Sequence, residues 1–251
     1  MLQFRHRRCR IELWSMISLI ISSSEVDRVK GTASREENYW EGHYAAGGVS
    51  GEGSVGAIRQ WKWDQIRSIV GEVDDFVDVG CGDLSFWDDR LPPVYTGIDI
   101  SETIVAKNRE RHPEATFIVA NAAVPQTVSG RIVLCMDMLF HIMDDETYRG
   151  ILTNLGQYSR EWVFVYTWHN NPFEDQHSRR YVARKLIRKG RIFSSIKARA
   201  GSATDFDYQT YRRFEDYAPL ITDQGFSLVE TRSEPAIERW GALYVFRRES
   251  R

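Results

Sequence analysis

The amino-acid sequence predicts an α/β fold, a doubly wound sheet that is mostly parallel and ends in an antiparallel strand pair. Three observations predict it. From Asp74 onward, short β-branched and aromatic runs alternate with longer amphipathic stretches. The first five runs are apolar on both faces, as strands covered by helices on two sides must be. The last two runs are joined by a short polar connection with no room for a crossover helix, so they should pair antiparallel.

The elements follow in order. The predicted strands are Phe76–Val79, Tyr95–Ile100, Thr116–Ala120, Arg131–Met136, Glu161–Tyr166, Phe226–Glu230 and Ala242–Phe246. A helix should run from Ser101 to about Arg111, with Ser101 as its N-cap and Ile104 and Val105 on its buried face. Gly42 to Gly56 is read as a Gly-rich loop. Trp168-His169-Asn170-Asn171-Pro172 follows strand five as a turn, on the carboxyl edge of the sheet where ligands bind. A basic insertion at about 176–210 interrupts the rhythm before strand six, where substrate-facing structure is expected.

Composition narrows the class. The 251 residues are 42% hydrophobic and 27% charged with mean hydropathy −0.42, which excludes a polytopic membrane protein and a disordered chain. The net charge of −2 hides an uneven distribution. Between Asp175 and Asp205 there are nine bases and no acid, which leaves −11 on the rest of the chain. That segment is read either as a solvated charged face or as a binder of an anionic acceptor, with nucleic acid as a further alternative. Cys9, Cys81 and Cys135 cannot all pair and lack metal-ligand spacing, so no metal and a reducing, cytoplasmic location are expected. Arg5, Arg7, Arg8 and Arg10 precede a short apolar run that imitates a signal peptide. The run is too short to span a bilayer and no small-residue cleavage site follows it, so no stable membrane insertion is expected. Residues 1–36 are read as a flexible extension and 37–251 as the folded domain.

The chemistry centres on Val77-Asp78-Val79-Gly80-Cys81-Gly82-Asp83. Glycines after a strand let backbone amides approach a ligand closely at a helix N-terminus. Asp99 ends the next strand, where a carboxylate can accept two hydrogen bonds from ribose hydroxyls. Ser85 occupies the third glycine position of a dinucleotide fingerprint, and Asp78 suits a cationic ligand better than a pyrophosphate. His141 and His169 are the candidate catalytic bases by titration range.

These residues resemble the class I S-adenosylmethionine-dependent methyltransferases over about residues 38 to 248. The resemblance implies a Rossmann-like, seven-stranded methyltransferase sheet and S-adenosyl-L-methionine as cofactor. It implies that Asp78 and the Gly80-Cys81-Gly82 loop hold the methionine part, Asp99 beside Ile100 the ribose, and Asn121 with Ala122 the adenine. Met136 begins a segment, through Ile142, similar to the one that closes over the cofactor. Tyr39-Trp40, Tyr44 and the Gly/Ser positions through Gly56 resemble the lid of a bacterial subgroup, which adds Tyr44 to the cofactor set. Leu84 stands where the family usually has a further glycine. The implied function is methyl transfer to a small or medium-sized acceptor, which would be anionic if the basic segment binds it rather than forming a solvated face. An RNA or other nucleic-acid methyltransferase, and a cofactor-binding protein without catalysis, are the alternatives.

Overall fold

The computed structural model describes residues 34–72, 74–174 and 208–250. The expected N-terminal extension before Ser34, Cys9, and all nine bases of the basic insertion lie outside the described residues. In chain order the elements are α1 (Arg35–Ala45), a 3₁₀ turn (Glu52–Ser54), α2 (Gly56–Val70), β1 (Asp75–Val79), β2 (Val94–Asp99), α3 (Glu102–Arg111), β3 (Thr116–Val119) and β4 (Gly130–Met136). A 3₁₀ turn (Leu139–His141), α4 (Asp145–Tyr158), β5 (Ser159–Trp168), a 3₁₀ turn (Phe214–Asp216), α5 (Pro219–Thr222), β6 (Phe226–Arg232) and β7 (Gly241–Arg248) follow.

The seven strands lie in the order β3-β2-β1-β4-β5-β7-β6. The first five are parallel, and β7 runs antiparallel between β5 and β6. Strand alternation splits the buried residues into two layers. Val77, Val133 and Val163 point to the side of α4, where Ile151, Leu152 and Leu155 cover them. Phe76, Leu134 and Phe164 point to the other side, with Ile66 of α2 and Ile104 and Val105 of α3. Among the described residues, no helix is long and apolar enough to cross a membrane.

Helix α3 forms as its sequence predicts. The Ser101 hydroxyl accepts from Ile104 N at 3.3 Å and caps the first turn. Three local expectations are corrected. Strand β5 runs on to Trp168, because it pairs with β7 as far as Trp168↔Gly241; Trp168 is a strand residue, not the start of a turn.

Gly42 and Tyr44 lie in α1, not in a loop. Docking holds this helix in place. The Glu41 carboxylate accepts from Ser101 Oγ at 2.7 Å, from Thr103 N at 3.1 Å and from the Thr103 hydroxyl, placing a negative charge at the start of α3. These bonds, led by Thr103 and then Ser101, hold the Glu41 carboxyl below its usual range.

No helix follows the Gly80–Gly82 loop. Residues 81–90 instead form successive turns, with Leu84 N donating to Cys81 O and Trp87 N to Leu84 O. Gly80, Gly82 and Leu84 all have positive φ, which prevents a right-handed helix from starting there. The volume is filled by Phe86 and Trp87, packed against Trp63 of α2 with ring centroids 4.8 and 4.7 Å away.

Candidate functional site

The strand order reverses between β1 and β4, and the carboxyl ends of the parallel strands open there into a cavity of about 840 Å³. Its floor is made by Gly80 and Gly82 after β1, Asp99 and Ile100 at β2, Asn121 and Ala122 after β3, and Met136 at β4. Residues 47–54 and Tyr44 form the roof. Nine of the twelve sequence-predicted site residues therefore meet in one place: Tyr44, Gly80, Gly82, Asp99, Ile100, Asn121, Ala122, Met136 and His141.

Asp99 is 8% exposed and organises the floor. Its Oδ2 accepts from Gly82 N at 2.9 Å and its Oδ1 from Ser101 N at 3.0 Å. Each oxygen keeps a further lone pair, so the carboxylate can still accept from a ligand. Burial pushes its pKa up, against the lowering effect of the Ser101 and Gly82 amides. Gly82 has φ +52°, and a Cβ there would come within 2.6 Å of Ser50 Oγ and 2.9 Å of Tyr44 OH. Glycine is thus what lets roof meet floor. Ser50 N donates to Asp83 Oδ2 at 3.0 Å across the same junction. Asn121 Oδ1 accepts from Ala123 N at 2.9 Å, which fixes the amide at the cavity edge.

Three predicted residues do not line the cavity. Asp78 shares the face of Phe76, and its Oδ2 accepts from Trp87 Nε1 at 2.7 Å and Tyr95 OH at 2.9 Å. Burial drives its carboxyl up to about 6, although both bonds act to lower it. It anchors the turns that replace the expected helix. Cys81 is 5% exposed in the same layer, and burial raises its thiol well above the usual range. His169 lies elsewhere, with Nδ1 2.8 Å from Tyr244 OH and 3.2 Å from Glu215 Oε1. His141 alone of the two candidate bases faces the cavity. Its Nδ1 lies 2.8 Å from the Tyr208 carbonyl, an obligate acceptor, so the neutral ring carries its proton on Nδ1.

Sequence reasoning missed a fully buried polar group that ties several elements together, Lys62. It is 0% exposed on α2, with Nζ 2.5 Å from Asp137 Oδ2, 3.0 Å from Gly53 O and 3.6 Å from the centre of the Tyr166 ring. Burial lowers the Lys62 pKa, opposed by Asp137. The available signal was spacing: Lys62 lies four residues before Ile66, on the stripe that packs. Three segments singled out in the sequence meet in an aromatic far wall. Phe140 stacks on Trp168 with centroids 4.7 Å apart and planes at 12°, and Trp40 meets the His141 ring edge-on at 5.0 Å. Among the described residues the lining holds five carboxylates (Glu36, Glu52, Asp99, Asp137, Glu238) and no lysine or arginine.

No protein-family model and no curated protein matches the chain. Solved structures do. The magnesium protoporphyrin IX methyltransferase of Synechocystis, with S-adenosylhomocysteine bound, aligns at TM-score 0.51 and 17% identity over 86% of this chain and 96% of that one. The N-methyltransferase NodS of Bradyrhizobium japonicum, also with S-adenosylhomocysteine, aligns at TM-score 0.54 and 12% identity over 86% of this chain and 100% of its own. A glycopeptide N-methyltransferase aligns at TM-score 0.51 and 10% identity over 76% of this chain and 90% of that one. With its 3-2-1-4-5-7-6 sheet and these neighbours, the chain has the fold of the class I S-adenosylmethionine-dependent methyltransferases.

Proposed function

We propose that the protein is an enzyme that transfers the methyl group of S-adenosyl-L-methionine to an acceptor held in this cavity. The observation that carries this reading is Asp99: a buried carboxylate at the end of β2, tied to the Gly82 amide and facing the cavity at the strand-order reversal. The charge of the lining supports it. Carboxylates without a lysine or arginine among the described lining residues suit a sulfonium and an ammonium group, and oppose a pyrophosphate. When bound, the cofactor supplies an electrophilic methyl carbon.

The chain's own residues bind and orient. Asp99, with Ile100 beside it, would accept from the ribose hydroxyls, and the Gly80 and Gly82 backbone with Tyr44 would hold the methionine part. Asn121 and Ala122 would hold the adenine, and Met136 would border the bound cofactor at the end of β4. His141, with its proton on Nδ1, presents Nε2 as the basic nitrogen if the acceptor arrives protonated. Asp78 acts indirectly, by holding Trp87 and Tyr95.

The basic segment that would bind an anionic acceptor or a nucleic acid lies outside the described residues. The walls that are described favour neither. The buried, unpaired Cys81 and Cys135 support a reducing, cytoplasmic location. Calorimetric titration tests the central reading. S-adenosylhomocysteine should bind in the micromolar range and NAD should not. Preferential binding of the dinucleotide would overturn the proposal.

A further inference from the structure

The geometry points to a neutral, planar heteroaromatic acceptor whose nucleophile is a ring nitrogen. This inference rests on the methyl-transfer reading and names the substrate class of the same cavity.

Beyond the Asp99 floor, the far end is walled by flat side chains. The Phe140–Trp168 stack forms one side and Trp40 of α1 another. Such faces hold a planar ring by stacking and favour positive charge on it. Two residues that line the cavity each carry a buried polar atom without a partner: Gln209 Oε1, an acceptor, and Trp240 Nε1, a donor. The backbone ties both residues to the stack. Thr210 N, next to Gln209, donates to Phe140 O at 2.8 Å, and His169 N, next to Trp168, donates to Trp240 O at 2.6 Å. Buried groups of this kind call for a ligand that offers both a donor and an acceptor.

Charge sets the rest. Glu36 is 9% exposed on α1, lines the cavity, and has no hydrogen-bond or ion-pair partner among the described residues. Glu238 lines it too, held by Trp240 N at 2.9 Å. Carboxylates repel an anionic acceptor, and they would keep a strongly basic amine protonated and without a lone pair. A weakly basic ring nitrogen stays neutral and nucleophilic beside them. Its lone pair forms the new N–CH₃ bond while the S–CH₃ bond breaks and that electron pair returns to sulfur. The positive charge passes from sulfur to nitrogen and no proton moves. The carboxylates and aromatic faces then stabilise the charge as it develops. No base is needed for this transfer, so His141 is not called on for it.

The test titrates quinoline-3-carboxamide and quinoline-3-carboxylate into the protein saturated with S-adenosylhomocysteine. The two probes share the ring and differ in charge. The carboxamide should bind at least tenfold tighter, and with S-adenosylmethionine it should yield the N-methyl cation by mass spectrometry. Gln209→Leu and Trp240→Phe should each weaken carboxamide binding at least fivefold, with S-adenosylhomocysteine affinity within twofold of the wild type, which also shows that the variants fold. Equal or tighter binding of the carboxylate, or no binding of the carboxamide, overturns the inference. Failure of the wild type to bind S-adenosylhomocysteine at all overturns the methyl-transfer reading itself.

Discussion

Lys62 Nζ donates to Asp137 Oδ2 at 2.5 Å, joining α2 to the residue that follows β4. The same ammonium donates to Gly53 O in the roof and lies over the Tyr166 ring of β5. Its partners thus come from the helix side, the sheet and the roof at once. Asp137 holds the left-handed conformation, φ +58°, which aims its carboxylate back at Lys62.

Breaking this pair should cost stability, unequally for its two ends. Asp137→Asn tolerates the backbone conformation but strands a fully buried ammonium, a loss of about 3–5 kcal/mol. Lys62→Met leaves a carboxylate that is 18% exposed toward the cavity and can hydrate, so it should cost less. In Asp137→Asn the folded state holds Lys62 neutral more readily than the unfolded state does. The unfolded chain then binds more protons, and stability rises with pH up to the ordinary lysine range. Urea unfolding from pH 6 to 9 checks both the order and the slope. Equal losses in the two variants would show that burial does not decide the cost.

What the sequence disclosed was what is encoded locally. The seven strands, the Ser101 cap and the Asp99 position are set by period, by a capping hydroxyl and by a strand end. What it concealed depends on distant partners. Asp78 reads as a ligand group until Trp87 and Tyr95 are brought onto its Oδ2. His141 and His169 are indistinguishable by titration range, and only the fold carries one to the cavity and the other to Tyr244 and Glu215. Helix α1 contains Gly42 and owes its position to Glu41 reaching α3, a contact 60 residues away.

Leu84 presents two opposed effects at one residue. Its φ of +65° costs about 1–2 kcal/mol for a side chain with a Cβ, while its side chain is 0% exposed. Removing a buried leucine typically costs about 2–5 kcal/mol. The burial is larger, so Leu84→Gly should lower stability by about 2 kcal/mol. A higher unfolding midpoint in that variant would show that backbone strain outweighs packing here.

Asp78 makes a pH-dependent prediction. Its folded pKa of about 6 lies above the ordinary 3.8, so the folded state binds more protons between those values. The stability tied to this group is therefore full below about pH 4 and is lost as pH rises through 6. Asp78→Asn keeps an acceptor for Trp87 and Tyr95 without a charge. It should be neutral at pH 4 and stabilising by roughly 2–3 kcal/mol at pH 8. Because Asp78 does not line the cavity, S-adenosylhomocysteine affinity should change little. A large loss of affinity with intact stability would return Asp78 to the ligand.

Asp99 gives the sharpest test of the cofactor site. In Asp99→Ala two ribose hydrogen bonds to a charged acceptor disappear, worth about 2–3 kcal/mol together, so S-adenosylhomocysteine affinity should fall by roughly 30–150-fold. The same change frees Gly82 N and Ser101 N, so part of any loss could come from a loosened floor. Asp99→Asn separates the two. One amide oxygen still accepts from a backbone N–H, but the charge is gone and the NH₂ now faces a donor. Binding should therefore fall in the asparagine variant while its unfolding midpoint stays closer to the wild type than that of the alanine variant. If calorimetry finds unchanged affinity in both, the ribose is held elsewhere and Asp99 serves only to tie the Gly82 loop to α3.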